Sequence, residues 1–193
     1  VPVAGLPGAR GDGQPVLTLI ELEAGTQLLH YFAGPSQVQL LLSGSGGYGF
    51  IAQVGDMISR QRGGKAFITC NARETVCAPS YIGGTSGSVP VPEATHIASA
   101  SAGGRLLTFP IGELRTMPNG GRGLMLMSLE DKDVLIGAAA YTRSIRVQGT
   151  GRGGKPREET LEIRSLNNAA AARGRKGKAA DWGFKPQRIG RIE

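Results

Sequence analysis

A short turn that combines glycines with basic residues recurs along this chain. Its clearest copy spans 61–66 and contains Arg62 and Lys65, and related turns span 118–123 and 174–179. Glycines let a bulky polyanion approach the backbone, successive N–H groups can point outward, and the flanking Arg or Lys supplies positive charge. The chemistry that these residues could do is therefore contact with phosphate groups.

The turns recur at a nearly constant spacing. When Lys65, Arg122 and Lys178 are aligned, the copies are 57 and 56 residues apart. The glycine, acidic and apolar positions ahead of the first two copies keep the same offsets, as Gly55 and Gly112 illustrate. A fixed period of this size is typical of repeat proteins, in which each repeat is one supersecondary unit.

The charge of the chain is unevenly distributed. The formal net charge is +7, and Lys plus Arg number 17 against 9 acidic residues over 101–193, compared with 5 against 6 over 1–100. Such a basic surplus favours nucleic acid or an anionic membrane surface as partner, with solvated surface cations as the alternative. No apolar run is long enough to span a bilayer and no leader pattern opens the sequence, so we predict a cytoplasmic, nucleoid-associated protein.

The composition favours an all-β fold. With 31 Gly, 11 Pro and 5% aromatic residues, short strands joined by tight turns fit better than long helices. Four strands per repeat would make a propeller-like blade. One short helix is predicted over 165–172, and strands are predicted over 15–21, 38–43, 49–54, 66–70, 105–110, 124–128, 134–140, 144–148, 159–163 and 188–192.

The period divides 1–193 into one repeat domain of about three and a half blades. Residues 1–35 would hold the end of one blade and the start of the next, including a copy of the turn at 10–15 with Gln14 in the cation position. The predicted blades that follow are 36–92, 93–149 and 150–193, with a mobile basic loop over 149–159.

No catalytic, metal or cofactor site emerges from the sequence. Gly44, Gly46 and Gly49 match a dinucleotide fingerprint, but a strand rather than a helix is predicted after them. Residues 149–155 approach a phosphate-binding loop, yet Pro156 stands where a Ser or Thr would hold magnesium. Two His and two Cys make no zinc pattern. We therefore predict a chain without catalytic activity of its own.

The order and spacing of five motifs resemble those of the C-terminal domain of the A subunit of bacterial DNA topoisomerase IV, in the gyrase A/topoisomerase IV A family. The resemblance covers nearly the whole chain, and the motifs lie at 47–50, 55–69, 104–110, 173–177 and 187–192. It implies a β-pinwheel, a propeller-like disc of four-stranded blades that is open and whose basic rim bends duplex DNA.

The resemblance also implies a role within a larger enzyme. The domain would be non-catalytic and would steer the choice of DNA crossing for decatenation and supercoil relaxation. Its partners would be double-stranded DNA, the same subunit's catalytic core and the ATPase subunit. ATP and Mg²⁺ would belong to the parent enzyme. The gyrase A subunit carries a longer Gly-basic box than 61–66, which argues against gyrase-type wrapping.

We predict that the DNA-contacting residues are cations in or beside the recurring turns. An alternative is a protein-interaction propeller whose charge only improves solubility. The predicted DNA-binding residues are Arg60, Arg62, Lys65, Arg105, Arg122, Arg173, Arg175, Lys176 and Lys178.

Overall fold

The computed structural model describes residues 3–8, 11–86, 89–91 and 93–192. Within these residues the regular secondary structure is mainly β-strand, with one helix, α1 (Ile163–Asn167), and short 3₁₀ turns at Val3–Gly5, Val16–Leu19, Val54–Met57, Ile111–Glu113 and Arg152–Gly154. The strands are β1 (Gln39–Gly44), β2 (Tyr48–Gln53), β3 (Ser80–Ser86), β4 (Val89–Val91), β5 (His96–Ser101), β6 (Arg105–Pro110), β7 (Leu124–Met125), β8 (Leu135–Tyr141), β9 (Ser144–Thr150), β10 (Pro156–Glu162), β11 (Lys178–Ala179) and β12 (Lys185–Arg191).

The strands form three antiparallel sheets, which we call blades A, B and C. Blade A has the order β4-β3-β1-β2-β7, blade B the order β11-β6-β5-β8, and blade C the order β10-β9-β12. Each blade is built on a hairpin, and a later return strand (β3, β8 or β12) pairs with the first strand of that hairpin. The prediction of an all-β, open pinwheel of small sheets is confirmed.

Glycine-rich tight turns close the first two hairpins. In blade A the chain reverses over 45–47, where Gly47 has a φ of +86°, and in blade B over 102–104, where Gly104 has a φ of +81°. Glycine takes up positive φ without steric cost. Gly44, Gly46 and Gly49, which match a dinucleotide fingerprint, therefore belong to a hairpin, because the strand β2 stands where the fingerprint requires a helix.

Neighbouring blades are joined by an exchanged strand. In β7, which follows the hairpin of blade B in the chain, Leu124 pairs with Gly49 of blade A. In β11, which follows the hairpin of blade C, Lys178 pairs in the same way with Leu106 of blade B. Each of these two blades thus takes its outer strand from the next repeat.

A second backbone contact accompanies each exchange. Met117 donates its N–H to the carbonyl of Ile51 at 2.9 Å, and Ala171 donates to the carbonyl of Thr108 at 3.1 Å. Ile51 and Thr108 occupy the same position in β2 and β6, so the two blade junctions are built alike.

Two of the three buried hydrophobic clusters lie between blades. Leu41 and Ile51 of blade A pack with Leu107 and Phe109 of blade B in one buried cluster. A second cluster joins blades B and C, and a third covers the other side of blade A with Leu40, Leu42, Phe50 and Ala52. Strands buried on both faces become continuous apolar runs, which explains the run over β1.

Several predicted elements differ from the structure. The strand predicted over 15–21 contains a 3₁₀ turn, and the one predicted over 66–70 is reduced to a single bridge at Ile68. The predicted mobile loop over 149–159 is a hairpin instead, because β9 ends at Thr150 and β10 begins at Pro156.

The predicted limits of the blades follow the sequence repeat, whereas the sheets include strands from two repeats. In the described part of 1–35 the structure has two 3₁₀ turns and no strand. The limits 36–92, 93–149 and 150–193 stay predictions, since β7 and β11 belong to one repeat in the chain and to another blade in space. Among the described residues, no helix has the length and apolarity needed to cross a membrane.

The exchange predicts an unequal sensitivity of two glycines. Gly123 has a φ of +81° just before β7, and a Cβ there would overlap the carbonyl oxygen of Gly49, whereas Gly64, with a φ of +75°, has no atom within 4 Å of its Cβ position. We expect Gly64→Ala to lower the free energy of unfolding by about 1–2 kcal/mol, the cost of a left-handed backbone. Gly123→Ala should lose clearly more in urea denaturation, and equal losses would contradict the close approach at this junction.

Candidate nucleic-acid interface

Two of the three Gly-basic turns lie immediately before the exchanged strands, and the turn at 61–66 is followed by the isolated bridge at Ile68. The turn at 118–123 leads into β7 and the turn at 174–177 leads into β11. β7 and β11 pair antiparallel with the first two residues of β2 and β6, so that each preceding turn runs alongside the first half of that strand, where Gly123 abuts Gly49 and Gly177 abuts Leu106. We call the end of the blades that carries the reversals 45–47, 102–104 and 151–155 the turn end, and the two Gly-basic turns lie beside it on the outer edge of blades A and B.

The turn ends of the blades adjoin one another. Leu135, at the turn end of blade B, donates its N–H to the carbonyl of Ser45 in blade A at 2.8 Å. Ala180, just ahead of the return strand of blade C, donates to the carbonyl of Gly104 in blade B at 2.8 Å. The Gly-basic turns before β7 and β11 therefore lie on the same side of the molecule.

The structure corrects the alignment of the third copy. Gly120 and Gly123 have φ values of +69° and +81°, and their counterparts Gly174 and Gly177 have +78° and +72°. Gly123 abuts the backbone of Gly49, as Gly177 abuts that of Leu106. The second and third copies are thus 54 residues apart.

In this register the cation equivalent to Arg122 is Lys176. Lys178, which a 56-residue spacing aligns with Arg122, lies two positions further on, in β11. That alignment was wrong because matching residue types does not reveal that one repeat is shorter than another.

Arg122 fastens two repeats together. Its guanidinium donates two hydrogen bonds to the carboxylate of Glu74, at 3.1 and 2.8 Å, and lies 4.2 Å from the centre of the Tyr48 ring. The side chains of Arg122 and Glu74 are only 30% and 18% exposed. A bidentate pair stacked on an aromatic ring is a strong, directional contact. The positive charge of Arg122 is therefore neutralised by Glu74 within the fold.

The ion pair also sets the protonation of its members. Hydrogen bonding from Arg122, helped by the backbone N–H of Asn71, holds the pKa of Glu74 below its ordinary value. The same bond to Glu74 raises the pKa of Arg122. Both groups are therefore held in their charged forms.

Arg105 and Arg173 also serve the blade junctions. Arg105 donates from Nη2 to Glu130 at 2.7 Å and from Nη1 to the carbonyl of Gly177 at 3.4 Å. Arg173 donates from Nε to the carbonyl of Glu113 at 3.1 Å and from Nη1 to that of Met125 at 2.6 Å. These half-buried side chains hold the exchanged strands in place.

The other six predicted residues are exposed: Arg60, Arg62, Lys65, Arg175, Lys176 and Lys178. In the described part of the chain, the side chains of Arg60, Arg175 and Lys178 have no hydrogen bond or ion pair. Arg62 is 3.8 Å from Glu21, but both side chains are more than 70% exposed, so that the pair is weak.

The two remaining lysines have partial partners. Lys65 donates to the carbonyl of Asp56 and lies 5.3 Å from the Phe67 ring. Lys176 is 3.9 Å from Glu130, which already pairs with Arg105, so two cations share one carboxylate.

The acidic partners carry no recognisable signal in the sequence. Glu74 and Glu130 lie outside the recurring turns and reach them only through the fold. Tyr48 also stands where blade B has Arg105, since both are the first residue of the second hairpin strand. The nine predicted residues thus divide into three that hold the blades together and six that face solvent.

Comparison with known proteins places the chain in a family. The family model for the DNA gyrase C-terminal domain, a β-propeller, matches residues 95–141. The A subunit of DNA topoisomerase 4 from Neisseria gonorrhoeae is 37% identical over 179 residues, which is 92% of this chain and 22% of that protein. The chain spans about a quarter or less of the length of the curated relatives that it matches.

Solved structures agree with this placement. The structure of the E. coli ParC C-terminal domain superposes with a TM-score of 0.76 at 25% identity and covers 95% of this chain and 72% of its own. A DNA gyrase A C-terminal domain superposes with a TM-score of 0.66 at 17% identity, over 90% of this chain and 56% of its own, and shows the shared fold.

The exchanged strands, the small antiparallel blades and these matches define a β-pinwheel C-terminal domain. The chain belongs to the gyrase A/topoisomerase IV A family. It corresponds to the C-terminal domain of the A subunit of topoisomerase IV.

The Glu74–Arg122 pair predicts a pH-dependent loss of stability. We expect Glu74→Gln to lower the free energy of unfolding at neutral pH by about 1–3 kcal/mol, the usual range for a hydrogen bond to a charged group. Because the folded-state pKa of Glu74 is depressed, its contribution is present above the unfolded-state pKa and is lost as the pH falls through the folded-state pKa. The gap between wild type and variant, followed by chemical denaturation, should therefore close on acidification.

Glu21→Gln is the matched control, because its partner Arg62 is far and exposed. That variant should change the stability by less than about 0.5 kcal/mol. A Glu74→Gln effect no larger than this would contradict the junction role of Arg122.

Proposed function

We propose that this domain binds duplex DNA through its phosphate backbone, without sequence specificity, and bends it. The observation that carries the proposal is the exposed charge of Arg175, Lys176 and Lys178, in and directly after the Gly-basic turn beside the turn end of blade B, with Lys176 sharing one carboxylate, Glu130, with Arg105. Exposed cations beside glycine backbone suit phosphate contact, and such contacts position a protein without reading bases.

The bend follows from the arrangement of the blades. Exposed cations accompany the turns at 61–66 and 174–177, and these belong to different repeats. A duplex that contacts both would have to cross from one repeat to another, and we propose that it bends there. The turn before β7 contributes little charge of its own, because Arg122 is neutralised by Glu74. The contacts would be uneven, which suits bending a crossing better than wrapping a full turn.

In the parent enzyme we propose that the domain steers the choice of DNA substrate. Its partners would be duplex DNA, the same subunit's catalytic core and the ATPase subunit of topoisomerase IV, in the bacterial cytoplasm at the nucleoid. The relatives that support this are A subunits of DNA topoisomerase 4. The chain would contribute no catalytic group, and ATP and Mg²⁺ would act elsewhere in the enzyme.

Binding should depend steeply on salt. The logarithm of the binding constant should fall with log salt by about 0.9 per phosphate contact. Arg175→Ala/Lys176→Ala/Lys178→Ala should weaken binding to every duplex sequence and flatten this slope. The measurement is a salt titration with fluorescently labelled duplexes of different sequence.

The charge-preserving variant Arg175→Lys/Lys176→Arg/Lys178→Arg is the control and should bind almost as wild type does. A wild-type affinity that does not change with salt would overturn the proposal. A protein partner retained at high salt, with no DNA retardation at low salt, would instead favour an interaction module with a merely solubilising surface.

The role in substrate choice predicts a selective defect of the truncated enzyme. Topoisomerase IV assembled without this domain should keep its basal strand passage but lose its preference among catenated, positively supercoiled and negatively supercoiled DNA. Initial rates on the three substrates provide the test. Proportional losses on all three would show that the domain does not select topology.

A further inference from the structure

The hairpin reversal of blade C differs from those of blades A and B. The reversals at 45–47 and 102–104 contain only Ser, Ala and Gly, whereas 151–155 is longer and carries Arg152 and Lys155. Both cations are exposed, and Gly153 and Gly154 between them have φ values of +71° and +75°. This segment, which we call the blade C tip, is held by a hydrogen bond from the N–H of Gly151 to the carbonyl of Lys155 at 2.8 Å.

The other reversals are each covered by a carboxylate. In blade A the carboxylate of Glu74 lies against Gly46, and in blade B Asp133 accepts a hydrogen bond from the N–H of Gly103 at 2.8 Å. Both acids belong to the segment that leads into the return strand. The corresponding segment of blade C has Asp181, whose carboxylate accepts from the N–H of Gly183, at 3.1 Å, within the same segment.

The charge of the blade C tip is therefore uncompensated. In the part of the chain that the structure describes, the side chains of Arg152 and Lys155 have no hydrogen bond or ion pair, and Arg157 extends its side chain beside Gly151. Glu158, which follows on the same strand, is engaged by Gln148 at 3.0 Å and lies 3.8 Å from Arg146.

The tip lies on the same edge of its blade as the Gly-basic turns of the other two blades. Blades A and B receive β7 and β11 along their outer hairpin strands, and each brings a Gly-basic turn alongside the first half of that strand. Blade C has β10 as its outer strand, with no partner strand on that edge among the residues described. The cations of the tip thus come from the blade's own hairpin, on the same edge.

We infer that the blade C tip is an additional phosphate-binding element for duplex DNA, in which Arg152 and Lys155 contact the backbone. It extends the contact surface from the turn before β11 onto the third blade. Two exposed cations on a glycine-rich reversal provide charge and backbone N–H groups, and among the described residues no acid is paired with either cation. The inference rests on the proposed function, which it makes specific for one blade.

The test compares two double variants of the 193-residue chain that carry the same change in net charge. Arg152→Ala/Lys155→Ala removes the cations of the tip. Arg115→Ala/Arg164→Ala removes two exposed cations outside the tip, in the segments that follow β6 and β10. Binding to a labelled duplex of mixed sequence is measured over a range of salt concentrations, and thermal unfolding checks that both variants are folded.

The tip variant should flatten the slope of log affinity against log salt by about one unit per residue, hence about two in all. The Arg115/Arg164 variant should keep the wild-type slope, and Arg152→Lys/Lys155→Arg should restore it. A tip variant with the wild-type slope, or equal losses in both variants, would overturn this inference and leave the proposed function standing. Absence of salt-dependent binding by the wild type would overturn the proposed function itself.

Discussion

The pairing of a two-residue strand with the hairpin of the preceding blade is the contact on which the rest of this structure depends. β7 and β11 each complete a neighbouring sheet and fix the distance between blades, so that the apolar faces of the hairpins enclose the core. The approach is so close that Gly123 and Gly177 have no room for a side chain. These two glycines of the recurring turns are therefore required by the fold, whatever the domain binds.

The same turns concentrate positive charge, and the structure uses that charge in two ways. Arg105, Arg122 and Arg173 turn inward to carboxylates and carbonyls at the blade junctions. Arg175 and Lys178 face solvent from an adjoining turn. Because arginines hold the junction together, the neighbouring cations Arg175 and Lys178 are kept in fixed positions beside it. The exposure of these charges therefore depends on the assembly of the blades. The carboxylates decide which cations remain free, and their distribution makes the three blades electrostatically unequal.

Local signals in the sequence were sufficient for much of the fold. The Gly-rich reversals and the apolar runs around them predicted β1 and β2 of blade A and β6 of blade B. The spacing of the turns predicted repeated blades. The strands β3 and β5 were missed because 80–86 and 96–101 are rich in Ser, Gly and Ala and lack β-branched runs. They are strands because the fold pairs them with β1 and β8.

Non-local pairing could not be derived from the pattern. Nothing in the sequence near Leu124 indicates that it pairs with Gly49, and nothing near Glu74 indicates that it meets Arg122. For that reason the Gly-basic motif indicated the region of the candidate interface. It could not distinguish the arginines that bind at the blade junctions from those that are exposed. The 56-residue alignment that chose Lys178 over Lys176 failed for the same reason, since register is set by backbone pairing.

If duplex DNA runs along the turn end of the blades, over the exposed cations, a cross-linking residue placed there should react with it. Site-specific photo-cross-linking to a labelled duplex tests this path most directly, with the cross-linking residue at position 175 or 178 beside the turn end, or at 164, beyond the end of β10 that is remote from the reversal of blade C. We expect strong, salt-sensitive cross-links from 175 and 178 and background levels from 164. Equal or stronger cross-links from 164 would contradict the proposed path.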